Sequence, residues 1–205
     1  MTLRMMSGWM AALALAALAG CGTTQIVSDP ARVNVKVVAI ESVPLPRDRF
    51  FYLGPGDGTG LMFGAIGGAA SAGRIQDSRT AFLAFIDSKG VSLERIAREE
   101  VSAAVERSGK LKTGTGGGTL RITFQQYGFG VPHLGSSYVV PVMTYQCEIL
   151  DPAGKVVWAA SERLSTLGNP VEPVKPEAMR DDPALIEKTW RAAARHIATN
   201  VLATF

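Results

Sequence analysis

YVVPVMTYQCEIL, residues 138–150, runs into DPAGK, residues 151–155, and returns as VVWAASERL, residues 156–164. In the first run Val139, Met143, Tyr145, Cys147 and Ile149 recur with the two-residue period of a strand that buries one face. Pro141 has no N–H to give a neighbouring strand, so it marks an edge or an interruption near the start. Between the runs, Pro152 suits the first corner of a turn and Gly154 the position that needs positive φ. Residues 138–164 therefore read as an antiparallel hairpin, and the fold is organised around a sheet.

Upstream, residues 119–124 alternate Leu120, Ile122 and Phe124 against Arg121 and Thr123, which is a second strand signal. Around Gln126-Tyr127-Gly128 the apolar phase shifts to Tyr127, Phe129 and Val131, as a β-bulge or a bend at the glycine would require. Residues 33–43, VNVKVVAIESV, are rich in β-branched side chains and predict the first strand, ended by Pro44 and Pro46. Between these strands, Ser92 is placed to cap a helix whose Leu93, Ile96, Ala97, Val101, Ala104 and Val105 share one face, and Gly109 stops it. Its Glu94, Arg98, Glu99, Glu106 and Arg107 read as a solvated surface. SRTAFLAFID, residues 78–87, predicts a short helix broken at Lys89-Gly90.

Downstream, Pro170, Pro173 and Pro176 keep the three-residue period of polyproline II, as a rigid connector or a docking ridge. Asp182-Pro183 then opens a closing helix with Ile186, Trp190, Ala193, Ala194, Ile197 and Val201 along one face. The predicted fold class is α+β: a single domain over residues 33–205, with a mixed or antiparallel β-sheet backed by two main helices, after a cleaved signal peptide.

The Gly-rich apolar segment 54–73 is the least ordinary part of that domain. Gly60, Gly64 and Gly68 recur every fourth residue and Ala72 continues the series. On a helix these positions form a smooth stripe for membrane or partner packing, as in small-xxx-small helix pairs and glycine zippers. Residues 60–73 would rise only about 21 Å as a helix, less than a bilayer crossing. Each glycine costs about 1 kcal/mol against alanine in a helix, so such a helix needs something packed on it. The other reading is a loop whose apolar side chains cover a sheet edge. Gly56, Gly58 and Gly60 lack the spacing of a dinucleotide fingerprint, and no P-loop Lys-Ser or Lys-Thr pair follows.

The first twenty residues divide like a secretory leader: Arg4, an apolar run over residues 10–19, then small residues. Leu18-Ala19-Gly20-Cys21 at its end resembles the lipobox of bacterial lipoproteins. The resemblance implies cleavage between Gly20 and Cys21 and lipidation of Cys21, so that residues 1–20 are signal peptide and residues 21–32 an acylated tether. Gly22 stands where inner-membrane retention would call for Asp, which implies an outer-membrane protein anchored by its acyl chains on the periplasmic face. The rest of the chain, about 185 residues, fits one domain. The formal charge is +3 over the full sequence, without a basic block, so nothing asks for nucleic acid. With Cys21 consumed by lipid, Cys147 has no partner and reads as a small buried hydrophobe.

The hairpin motif Asp151-x-x-Gly-Lys-Val-Val-Trp158, between an upstream strand and a terminal helix in a lipobox protein, resembles small transport-auxiliary lipoproteins and the curli-secretion lipoprotein family. The resemblance implies a mixed sheet backed by helices. The secretion family forms pores through amphipathic strands, whereas segment 54–73 is Gly-rich and does not alternate.

His133 and His196 are the only histidines, with no HExxH, GxSxG or Cys-His context. His133 could be combined with Ser136, Ser137 and Asp151 only on paper. No metal set or cofactor is expected beyond the covalent lipid. The function expected is a non-enzymatic, lipid-anchored binding or accessory protein of an envelope assembly or transport system, with an envelope protein partner or self-association. The alternatives are a ring or pore assembled through residues 60–73, and a periplasmic hydrolase.

Overall fold

The computed structural model describes residues 24–42, 44–56 and 64–205. The expected leader, Gly20, Cys21 and Gly60 lie outside them. The predicted hairpin stands at the centre of the sheet, as Val140–Leu150 (β6) and Val156–Leu164 (β7). Asp151 N donates to Lys155 O at 2.9 Å across the turn, and Gly154 takes φ +81°. On the other side β6 pairs antiparallel with Gly118–Gly130 (β5).

The register of β5 against β6 slips between Phe124 and Gln126, within a residue of the predicted phase change. Leu120, Ile122 and Phe124 are buried before the slip and Tyr127 and Phe129 after it. One inserted residue thus keeps the apolar side chains on the same face of a bent strand. The slip also divides the outer edge of β5. Val37–Ser42 (β2) pairs parallel with residues 118–122, and Phe50–Leu53 (β3) pairs parallel with residues 127–130. Gly128 permits the second pairing: at φ +143° it lies against Phe51, whose carbonyl oxygen a Cβ would approach to 1.7 Å.

Two further strands complete the sheet among the described residues. Lys112–Thr113 (β4) runs parallel to β2, and Thr24–Ser28 (β1) pairs antiparallel with β7. The sheet is therefore mixed, in the order β1-β7-β6-β5-β2-β4, with β3 also on β5. The N-terminal segment differs from the expected tether over 21–32, because β1 occupies the free edge of β7. Asp29 then caps a turn of 3-10 helix at Pro30–Asn34, accepting from Ala31 N at 2.7 Å. That turn delays the strand predicted from Val33 until Val37, and Val33 stays exposed.

Leu93–Ser108 (α2) has the predicted caps, with Ser92 Oγ accepting from Arg95 N at 3.2 Å and Gly109 in the left-handed region. Pro176–Asp181 (α3) follows the proline connector, which Val174 ties to Val139 by paired 2.9 Å backbone bonds. Ala184–Ala203 (α4) buries the predicted face, with Thr189, Ala198 and Leu202 added to it. The two predicted helices back one face of the sheet: α4 over β6 and β7, and α2 beside it over β2 and β4. Trp158, Tyr145, Trp190 and Ile149 fill the layer between, where Tyr145 OH donates to Ala194 O at 2.8 Å. The opposite face carries Arg121 paired across from Glu148, Thr123 from Gln146 and Thr144 from Arg163. Such one-sided burial is natural for antiparallel strands.

The short helix predicted at 78–87 is the last part of Gly64–Ser88 (α1), a helix of 25 residues. Residues 64–73 are therefore helical, not a loop. Phe82, Phe85 and Ile86 hold its far end against the β3 side of the sheet, with the Tyr52 and Phe82 rings stacked at 4.5 Å and Phe129 edge-on to Phe82 at 5.7 Å.

Candidate functional surfaces

Of the site residues expected from sequence, Gly64, Gly68 and Ala72 fall in the first half of α1, where a spacing of four places them along one side of the helix. The docked end of α1 begins at Phe82; Gly73, Arg74, Gln76, Asp77, Thr80 and Ala81 before it are exposed. Among the described residues no helix is long and apolar enough to cross a membrane.

Between α1 and the β3 edge runs an open groove of about 590 Å³, bounded by Ile75, Gln76 and Arg79 on the helix and by Asp48, Arg49, Gln126 and Arg163 opposite. Of these, Arg79 donates to Arg47 O at 2.9 Å, and Arg47 forms a 2.7 Å ion pair with Asp87. A second groove of about 640 Å³ separates the proline connector from α4. Beside it, His196 Nε2 lies 3.6 Å from Glu162 Oε1, which also accepts from Asn200 at 2.9 Å.

The charges between α2 and α4 are not the plain solvated surface expected. Arg191 reaches Glu99 at 2.8 Å, Glu187 at 2.9 Å and Glu100 at 3.1 Å, while Arg195 binds both oxygens of Glu100 at 2.9 and 3.2 Å. Arg95 joins Glu99 to Glu187. Burial pushes the Glu100 carboxyl up, but hydrogen bonds from Arg195 and Arg191 outweigh it and hold it below the usual range. The same contacts, chiefly from Glu99, raise Arg191. This network latches the two helices together.

The paper triad is not brought together. His133 is exposed in the loop between β5 and β6, with Nδ1 3.1 Å from Leu134 O, and Ser136 Oγ is bonded to the Tyr138 backbone. Asp151 sits at the other end of β6, accepting from Ala153 N and Lys155 N at 2.9 Å. Among the described residues no three His, Cys, Asp or Glu side chains are grouped to hold a metal. Cys147 is fully buried and burial pushes its thiol up to about 12, which suits packing and not nucleophilic chemistry.

The fold and these surfaces define a single α+β domain with an open mixed sheet, helices on one face and a long helix at one edge. No family model and no curated protein matches the chain. Among solved structures it is similar to a dodecamer of a PelC point variant from Paraburkholderia phytofirmans, at 12% identity and a TM-score of 0.39, over 88% of this chain and 92% of that one. At that level the likeness defines neither function nor assembly for this chain.

Proposed function

We propose that the chain is a lipid-anchored accessory protein of the bacterial outer membrane, acylated at Cys21, whose domain works at the periplasmic face as a non-enzymatic binding partner for another envelope component. The observation that carries this reading is Leu18-Ala19-Gly20-Cys21 at the end of an apolar run too short to span a bilayer. The separation of His133 from Asp151 supports a binding role over a hydrolytic one. The reading requires no cofactor beyond the lipid and no nucleic acid. Its test is Cys21→Ser expressed from the full-length gene, with fractionation and intact mass of the product. Uncleaved or released protein without acyl mass is the expected result; unchanged processing and membrane retention overturn the proposal.

A second reading, self-assembly through α1, is favoured by the four-residue spacing of Gly64, Gly68 and Ala72 on a helix whose packed end lies elsewhere. A discrete large oligomer in detergent that dissociates on Gly64→Leu supports it, and an unchanged monomer refutes it.

A further inference from the structure

Four strands, β1, β3, β5 and β7, have an end at the same side of the sheet. Both β5 and β7 stop there, since Leu164 pairs with Met143 and Gly130 with Val140. β3 stops there too, with Leu53 opposite Gly130, so the Gly-rich segment that begins at Gly54 leaves from this end. β1 enters from the same end: it is antiparallel to β7, with Thr24 at Ser161 and Ser28 at Trp158. Traced backwards, the chain thus leaves Thr24 in the direction of Leu164. The three residues from Cys21 to Thr24 reach at most about 11 Å.

The same end carries exposed apolar side chains. Leu134 and Tyr138 in the β5–β6 loop are 58% and 42% exposed, and Leu167 after β7 is 75% exposed. The segment after β7 is tied to the start of β6, just past the β5–β6 loop, because Asn169 Nδ2 donates to Pro141 O at 2.8 Å and to Ser165 O at 2.7 Å. Lys175 Nζ stands 5.5 Å over the Tyr138 ring. Of the other large apolar residues exposed among the described ones, Val27 lies on β1 and Val33 at the opposite end. Leucines at loop tips beside a tyrosine and a lysine match a bilayer interface, where aromatic rings sit at headgroup depth and lysine stems snorkel.

We infer that this end of the sheet is a phospholipid-contacting surface, with Leu134 and Leu167 entering the leaflet that holds the acyl chains of Cys21 and with Tyr138 and Lys175 at its headgroups. The inference rests on the proposed acylation. It adds an orientation: strands near-perpendicular to the membrane, the Asp151–Lys155 turn farthest from it, and α2 and α4 facing sideways.

The test uses the full-length acylated protein in phosphatidylethanolamine–phosphatidylglycerol vesicles containing spin-labelled lipid. An environment-sensitive dye is placed on Leu167→Cys and, as a control at the far end, on Ala153→Cys; native Cys147 is buried and Cys21 is blocked by lipid. Quenching at position 167 at least about threefold greater than at 153 is expected for a side chain seated in the interface. A protein that carries the acyl mass and floats with vesicles but is quenched equally, or at neither position, overturns this inference and leaves the anchored reading standing. A protein that neither carries acyl mass nor floats overturns both. A label at 167 that is shielded in native envelopes yet unquenched in lipid vesicles assigns the surface to a protein partner and refutes the lipid.

Discussion

Glu100 has a side chain only 5% exposed, and its three hydrogen bonds to Arg191 and Arg195 cross from α2 to α4. Its signal was present in the sequence, since position 100 continues the face of Ile96, Ala97 and Ala104, where an apolar residue belongs. The partners were not legible, because nothing local relates Glu100 to arginines more than ninety positions away. Glu100→Gln keeps the volume and removes the charge, and should cost about 1–3 kcal/mol in urea unfolding at neutral pH. Because the folded carboxyl is held below its unfolded value of about 4.3, its contribution is complete above that value and is lost as pH falls through the lowered one. Wild type and variant should therefore converge in stability in acid. A gap that stays unchanged even well below the lowered folded value would assign the loss to packing instead.

Elements defined by their own periodicity were legible: the β6–β7 hairpin, α2, α4 and the slip in β5. Elements that exist through a partner were not. β3 is four residues with no alternation to read, and it forms because the slip frees the second half of β5 and Gly128 admits the Phe51 backbone. Gly128→Ala should thus cost about 3 kcal/mol or more in unfolding free energy, through both positive φ and the clash, measured by urea titration. An effect below about 1 kcal/mol would mean that β3 contributes little to the fold. The sequence of α1 divides into two pieces because glycine interrupts its propensity, whereas the continuous helix is held through aromatic contacts at its far end. Phe82→Ala removes the ring shared by Phe50, Tyr52 and Phe129. Amide exchange should then accelerate at least about tenfold across residues 73–88 while α4 stays protected, as for a unit that opens separately. Uniform acceleration in both helices would show that α1 unfolds only with the core.

At the scale of the molecule, the lipobox-like quartet was readable because it is linear, while the sheet end could not be foreseen because it is assembled from residues 54, 134, 138 and 167 by strand direction. β1 adds to this geometry by using up residues that a free tether would have needed: among the described residues pairing already begins at Thr24. Under the proposed acylation two devices can hold the domain at the membrane, the short link itself and the apolar tips, and lengthening the link separates them. Inserting about twelve Gly/Ser residues before Thr24 adds a root-mean-square reach of roughly 20 Å. If the link alone sets the distance, dye quenching at position 167 should collapse in the insertion variant while acylation and flotation remain. If the apolar tips hold the surface themselves, through Leu134 and the apolar label that replaces Leu167, quenching should survive the insertion and fall only when Leu134→Ser is combined with it. Survival is the outcome expected, because acyl chains keep the effective lipid concentration high even through a flexible link, and exposed apolar tips then have more to gain in the interface than in water.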